Sequence, residues 1–154
     1  MPAVLRKSIE TPFGRMLLVQ EGECLTRLGW RDAPAVDRSP LLAEAAEQLK
    51  AYFGGTLRTF DLPLAYGCSE FQAAACDVMA RIPYGSTITY TDMARQLGST
   101  PRAAGGACGG NPFPIIVPCH RVLAARGIGG YSGGAGVETK IGLLRLENAV
   151  PWLI

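Results

Sequence analysis

The sequence predicts an α/β protein of the α+β type, in which a small N-terminal sheet-plus-helix domain precedes a mostly helical C-terminal domain with a helix-turn-helix. Short apolar runs broken by turn residues fill the first thirty positions, whereas later apolar residues recur at helical spacing between capping residues. With 154 residues, 48% of them hydrophobic, the chain can bury a core in one domain or in two small ones. We expect these domains to span residues 1–66 and 67–154.

Three strands are predicted before residue 31, at positions 4–9, 16–20 and 24–30. Thr11-Pro12-Phe13-Gly14 and Glu21-Gly22-Glu23 separate them. Proline, glycine and clustered polar residues favour turns, and the runs between them are short enough to be strands.

Two longer helices are predicted to follow. Ser39 suits an N-cap and Pro40 the first helical turn, while Gly54-Gly55 ends the periodic segment. The second helix opens at Ser69, with Gln72 as its partner in a capping box, and runs to about residue 81.

Two short helices are predicted next, and together they have the outline of a helix-turn-helix. Thr91 is expected to cap residues 92–97, and Thr100 with Pro101 begins another helix that runs to about residue 109. A last amphipathic helix is predicted over residues 138–147.

Charge and cysteine content narrow the class of protein. Residues 1–80 carry eight basic and ten acidic side chains, whereas residues 81–154 carry seven and three, which weakly favours a polyanionic partner for the second half. Five cysteines without a C-x-x-C pair favour a reducing compartment. No apolar run is long enough for a membrane span, and Arg6-Lys7 come too early to leave room for the apolar core of a signal peptide. We therefore expect a soluble, cytoplasmic protein without membrane contact.

The single histidine, His120, follows Cys119 at the end of a proline-rich apolar segment. A cysteine is nucleophilic only as the thiolate, and His120 or Arg121 can lower its pKa. Sequence neighbours do not face each other, so we expect His120 to reach Cys119 through a water molecule. An orienting carboxylate is then needed, and the basic half offers three candidates: Asp92, Glu138 and Glu147. Inert packing is the alternative role for such a thiol.

Pro118-Cys119-His120-Arg121-Val122, preceded by Asn111-Pro112, resembles the active-site signature of the O6-alkylguanine-DNA alkyltransferases. The resemblance runs nearly end to end, and the further matching motifs are Thr11-Pro12-Phe13-Gly14, Gln48-Leu49, Tyr52-Phe53, Phe60-Asp61-Leu62-Pro63-Leu64, Phe71-Gln72, Ile82-Pro83-Tyr84-Gly85, Thr89-Tyr90, Arg102-Ala103-Ala104-Gly105, Tyr131-Ser132-Gly133-Gly134 and Leu143-Leu144 with Glu147.

The resemblance implies a single-turnover methylated-DNA–[protein]-cysteine S-methyltransferase. Such an enzyme moves the alkyl group of O6-alkylguanine in duplex DNA irreversibly onto Cys119, after the base is flipped out of the stack. O4-alkylthymine is a further candidate substrate. The family implies no cofactor, and we expect a protein that is monomeric in the absence of DNA.

The same resemblance implies a role for each matching residue. The expected catalytic residues are Cys119, His120, Glu147 and Tyr90. The expected DNA contacts are Tyr90, Arg102, Arg121 and the small residues Ala103, Ala104 and Gly105. Of these, Arg102 is expected to fill the gap left by the flipped base. The expected pocket residues are Pro114, Val122, Gly129, Tyr131 and Ser132. Asn111 is expected to support the active-site segment structurally.

Some positions depart from the family pattern. Ala75-Cys76 stands where the family often has Val-Trp, and Gly109 where some relatives have a basic residue. The first half contains no histidine, so no zinc site is expected there. We interpret Cys68, Cys76 and Cys108 as packing thiols.

Three other functions are compatible with parts of the sequence. An alkyltransferase-like module that only binds the lesion would lack the cysteine, which argues against it here. A Cys–His hydrolase would need an oxyanion hole and would leave the helix-turn-helix unexplained. A DNA-binding regulator would be expected to carry a second, fused domain.

Overall fold

The computed structural model describes residues 3–150, which fall into two compact units divided between Gly67 and Cys68. The first unit contains an antiparallel sheet and the second is built mainly of helices, so the predicted α/β class is confirmed. Within the described residues, no helix is long and apolar enough to cross a membrane.

The sheet of the first unit has the order β1-β2-β3. Its strands are β1 (Val4–Thr11), β2 (Gly14–Glu21) and β3 (Cys24–Trp30). The first two strands are longer than predicted, because Thr11 pairs directly with Gly14 and leaves only two residues in the turn. Gly14 has a φ of 112°, a conformation that favours glycine.

Helix α1 (Pro40–Phe53) packs against β1 and β2 as an amphipathic helix. Its N-cap is Ser39, whose hydroxyl accepts from the amide of Leu42, and Gly54 is its C-cap, as the sequence predicts. Its buried side chains are spaced three or four residues apart and are Leu42, Ala45, Leu49 and Tyr52. Local capping therefore sets the ends of the helix, and apolar spacing sets its buried face.

The second unit begins with helix α2 (Glu70–Ala80), capped by Ser69. The predicted capping box is only half formed. The Ser69 hydroxyl accepts from the Gln72 amide, but the Gln72 side chain donates to the carbonyl of Ala107, 2.8 Å away. A tertiary partner has replaced the local one, and it ties α2 to a helix 35 residues further along the chain.

Helix α3 (Tyr90–Leu97) starts earlier than predicted, and its N-cap is Thr89 rather than Thr91. Thr89 ends a two-residue strand, β4 (Ile88–Thr89), which pairs in parallel with β5 (Val122–Leu123). Its extended backbone suits an N-cap, and Asp92 completes the capping box from the third helical position. The short parallel pair was not predicted, because two residues carry too little pattern to reveal a strand.

Helix α4 (Pro101–Gly109) follows after three residues and is capped by Thr100, as predicted. The last helix, α5 (Val137–Leu146), lies within one residue of its predicted ends. Helices α2, α3 and α4 pack against one another, and α5 packs against the 3₁₀ turn Cys119–Arg121. The use of α3 and α4 as a DNA-binding helix-turn-helix stays a prediction.

Candidate active site

The segment before Cys119 is held in a tight loop by Asn111. The Asn111 amide donates from Nδ2 to the carbonyl of Val117 at 2.7 Å, and its Oδ1 accepts from the Phe113 amide at 2.9 Å. The Val117 amide in turn donates to the Phe113 carbonyl at 2.8 Å. These bonds close the loop on itself and place Cys119 at the start of the 3₁₀ turn.

A buried cluster of three charged or titratable side chains lies beside the thiol. Glu147 accepts from His120 Nε2 at 2.7 Å, from Arg121 Nε at 2.7 Å and from Arg121 Nη2 at 3.0 Å. Burial opposes the ionisation of Glu147, but hydrogen bonds from His120 and Arg121 outweigh it and lower the pKa of Glu147 to about 2. Of the three candidate carboxylates, the structure therefore brings Glu147 to His120.

The ionised Glu147 fixes the protonation of His120. A carboxylate only accepts hydrogen bonds, so the Nε2 of His120 must carry the proton. Burial lowers the pKa of His120, which keeps the ring neutral and leaves Nδ1 as a lone-pair acceptor. No protein atom in residues 3–150 hydrogen-bonds to this nitrogen. His120 is thus arranged to take up a proton at Nδ1.

Arg121, expected to contact DNA, is only 6% exposed. Its guanidinium binds Glu147 and donates from Nη1 to the carbonyl of Ile82 at 2.7 Å. A buried guanidinium with protein partners on several sides does not face a phosphate backbone. The assignment of Arg121 to DNA was therefore wrong, and its contact with Glu147 makes it a structural support of the His120 pair.

Cys119 opens into a pocket of about 350 Å³. The lining residues come from α3, α4, the 3₁₀ turn and the glycine-rich loop before α5, and they are Tyr90, Gly105, Cys108, Gly109, Cys119, Gly130, Tyr131 and Ser132. Five of them are among the residues that the resemblance assigned to catalysis, DNA contact or the pocket. Cys108, Gly109 and Gly130 join them only in the folded protein.

Three expected pocket residues are not among those that line it. The Val122 carbonyl accepts from Lys140, and Pro114 forms a bridge with Val117 inside the loop. Gly129 adopts a φ of 79°, and a Cβ there would lie 3.1 Å from the ring of Tyr90. These residues thus position the wall of the pocket without lining it.

The residues expected at DNA on α4 divide between its two faces. Arg102 is exposed and Ala103 and Gly105 are half-buried, whereas Ala104 is completely buried. The helical period turns Ala104 and Ala107 toward the core. The expectation that Ala104 contacts DNA was therefore wrong.

The thiol of Cys119 is held in its protonated form by burial, which raises its pKa. The Asn111 side chain, the charge of Lys140 and the Tyr131 side chain act in the opposite direction. Burial also raises the pKa of Tyr90 to about 12, so its hydroxyl remains a hydrogen-bond donor at neutral pH. A base is therefore needed to activate the thiol.

Lys140 was missed by the sequence analysis, although it lies at the centre of this region. It is fully buried, and its ammonium donates to the carbonyls of Val122 at 2.7 Å and Gly130 at 3.1 Å. It also lies 5.6 Å from the centre of the Tyr90 ring. Burial lowers its pKa to about 8. The only signal in the sequence was that Lys140 falls at a helical position that the spacing of apolar residues in α5 assigns to the buried face, where a charged residue is unusual.

The remaining thiols do not all pack as expected. Cys76 is buried, but Cys68 is exposed, which corrects its interpretation as a packing residue. Cys108 contacts Met79 and Met93 through sulfur atoms 3.7 and 3.8 Å apart, yet it also lines the pocket. In the described part of the chain, no three His, Cys, Asp or Glu residues are grouped so that they could hold a metal ion.

Comparisons with known proteins agree with this geometry. Residues 4–66 match the 6-O-methylguanine DNA methyltransferase, ribonuclease-like domain, and residues 70–149 match the 6-O-methylguanine DNA methyltransferase, DNA binding domain. The chain belongs to the 6-O-methylguanine DNA methyltransferase family.

Relatives within this family match over nearly the whole chain. A methylated-DNA–protein-cysteine methyltransferase of Methanosarcina acetivorans is 38% identical, with 91% of this chain and 96% of the relative covered. The constitutive enzyme of Bacillus subtilis is also 38% identical, with 90% and 92% covered. The crystal structure of the O6-methylguanine methyltransferase of Mycobacterium tuberculosis superimposes with a TM-score of 0.85 at 36% identity, over 96% of this chain and 94% of that one. The complex of that family member with DNA gives the same TM-score at 38% identity, over 95% and 94%.

Proposed function

We propose that this protein repairs DNA by transferring the alkyl group of O6-alkylguanine, most simply a methyl group, to the sulfur of Cys119. The observation that carries the proposal is a cysteine that opens into a pocket and whose next residue, His120, is paired with the buried Glu147. Relatives with the name methylated-DNA–protein-cysteine methyltransferase, and a relative in complex with DNA, support the reaction class and the partner.

The first step is removal of the thiol proton. Cys119 and His120 are adjacent in a 3₁₀ turn, so their side chains diverge and one water molecule passes the proton to Nδ1. Glu147 stabilises the imidazolium that results, because its carboxylate already accepts the Nε2 proton. The product of this step is a thiolate facing the pocket.

The second step is displacement at the alkyl carbon. The thiolate forms the S–C bond as the C–O bond breaks, and the bonding electrons move onto the guanine, which then takes up a proton. The hydroxyl of Tyr90 lines the pocket and, as a donor, stabilises the negative charge that develops on the leaving base. Ser132 and Tyr131 also line the pocket and are suited to contact the base. The thioether is not hydrolysed, so each protein reacts once.

The alkylated base must leave the duplex to reach Cys119, at a cost of a few kcal/mol. We assign the filling of the resulting gap to Arg102, which is exposed near the start of α4. A planar guanidinium can stack on the neighbouring bases and donate hydrogen bonds at the same time. The half-buried Ala103 and Gly105 leave room for the DNA to approach this helix.

The decisive experiment is mass spectrometry of the intact protein and its peptides after incubation with a duplex containing one O6-methylguanine. The expected result is one added methyl group, located on Cys119 and never exceeding one per protein. Cys119→Ala should still bind the duplex without accepting the methyl group, whereas the control Cys76→Ala should accept it.

An unmodified wild-type protein that nevertheless binds the lesion would refute the proposal in favour of a lesion-binding module. A parallel series with O4-methylthymine tests the wider substrate range. Sedimentation without DNA tests the monomeric state.

A further inference from the structure

The sheet of the first unit carries a depression that the proposed reaction does not use. Met16, Leu18 and Leu28 are buried on one face of the sheet. Side chains alternate along strands, so Val19 and Arg27 point to the opposite face. There Arg6, Val19 and Arg27 are direct cross-strand partners.

The depression exists because the cross-strand row next to Arg6, Val19 and Arg27 has a glycine on β3. Leu17 pairs with Gly29. Because Gly29 has no side chain, the space between the side chains of Arg27, on β3, and Arg31, the first residue after β3, is left open. The hollow has a volume of about 570 Å³ and is lined by all three arginines over a floor that includes Leu17 and Val19. The position of a Gly29 Cβ would lie 3.9 Å from Arg27 Nε, so the Arg27 side chain borders the hollow.

These three arginines differ in charge pairing from their neighbour Arg15. Arg15 is paired with Glu10 and Asp32. Arg6, Arg27 and Arg31 are exposed, and none of them forms a salt bridge within residues 3–150. Three acidic residues lie close by. Asp32 follows Arg31 in the chain but pairs with Arg15. Asp37 accepts from the backbone amide of Arg6, and Glu21 occupies the next outward position on β2. The hollow therefore presents three guanidinium groups that no carboxylate neutralises by direct contact.

We propose that this arginine hollow binds the phosphodiester backbone of duplex DNA, as a contact additional to the one at the lesion. Guanidinium groups bind phosphate oxygens through paired donors, which matches the chemistry of the hollow. Strand geometry separates the Arg6 and Arg27 backbones by about 10 Å and those of Arg27 and Arg31 by about 13 Å, a rise of three to four nucleotides along one DNA strand. The inference rests on the proposed function only for the identity of the partner.

The test compares two variants that each remove two positive charges from the first unit. Arg27→Gln/Arg31→Gln removes charges from the hollow, whereas Arg38→Gln/Lys50→Gln removes charges from exposed positions outside it. Affinity for an unmodified duplex several helical turns long is measured against salt concentration by fluorescence anisotropy. Each lost phosphate contact reduces the slope of log K against log salt by about 0.9. The hollow variant should therefore lose about 1.8 from the slope, and the control close to nothing.

A second variant tests the hollow without removing an arginine. Gly29 has no positive φ and no neighbour that a side chain would strike, so Gly29→Glu should fold and place a carboxylate among the three guanidinium groups. It should weaken long-duplex binding at least tenfold at low salt, with methyl transfer at saturating protein unchanged.

Equal slopes for the hollow and control variants would overturn the inference, and an acidic protein partner would then be the better explanation of the charges. Methyl transfer by the wild type is measured separately, so failure of the proposed function is distinguished from failure of this one.

Discussion

Replacing Glu147 by Gln tests whether the carboxylate acts through His120 or only supports the fold. Within residues 3–150 the carboxylate accepts hydrogen bonds from His120 Nε2 and from Nε and Nη2 of Arg121. A glutamine of the same shape has one acceptor oxygen, so at least one donor of Arg121 or His120 then faces an amide N–H. The guanidinium of Arg121 also remains buried without its counter-charge.

The magnitude follows from the same contacts. The pKa of Glu147 falls from 4.5 to about 2 on folding, which corresponds to about 3 kcal/mol of stabilisation of the ionised form. Breaking a buried ion pair by removing one partner costs about 3–5 kcal/mol. We therefore expect Glu147→Gln to lower the free energy of unfolding by about 3–5 kcal/mol, because it leaves the buried guanidinium of Arg121 without its carboxylate. Because the imidazolium of His120 loses its stabilising anion, we also expect methyl transfer to slow by about 10²-fold or more.

The assay is single-turnover methyl transfer from a duplex with one O6-methylguanine, beside urea unfolding of the same preparation. The double variant Glu147→Gln/Arg121→Met separates the two effects. Removing the unpaired cation should recover part of the stability, yet transfer should stay slow because His120 still lacks a carboxylate. If transfer recovers together with stability, Glu147 acts only through folding and the reasoning is refuted.

Three further predictions concern pH, Lys140 and Gly129. His120 and Glu147 both have lowered pKa values in the folded protein, so the unfolded chain takes up protons at a higher pH than the folded one. The free energy of unfolding, measured in urea, should therefore fall as the pH drops below 6.5 and fall again from 4.5 toward 2. A flat profile would contradict the buried pairing of His120 with Glu147. Lys140→Met leaves two carbonyls unpaired but removes the cost of burying an ammonium, so the free energy of unfolding should change by less than about 2 kcal/mol. Methyl transfer should slow about tenfold, because the pKa of Cys119 rises when the positive charge is lost. Unchanged transfer at neutral pH would count against a role for the charge of Lys140. Gly129→Ala should cost about 1–3 kcal/mol in thermal unfolding, because its φ is 79° and the new Cβ meets the Tyr90 ring; the control Gly130→Ala, with open space around it, should not.

Local patterns predicted the elements that local physics sets. The hydroxyls of Ser39 and Thr100 each accept from the amide three residues further along, in the first turn of their own helix. Their capping is therefore visible in any short window of sequence. The cap at Thr89 was assigned to Thr91 instead, because the strand that holds Thr89 extended pairs with residues more than thirty positions away. The half-formed capping box at Gln72 failed for the same reason.

By itself, the sequence determined the fold class and the family and pointed to Cys119 and His120 as the candidate reactive pair, because these depend on local propensity and on motifs of contiguous residues. The family resemblance implied that Glu147 acts with His120, and the tertiary structure showed their contact. The tertiary structure alone decided that Arg121 faces this pair instead of DNA and that Lys140 is buried beneath the pocket. In each case the partner lies between 10 and 39 residues away along the chain. A buried charge is stable only where such distant groups converge on it, and no local pattern in a single sequence records that convergence.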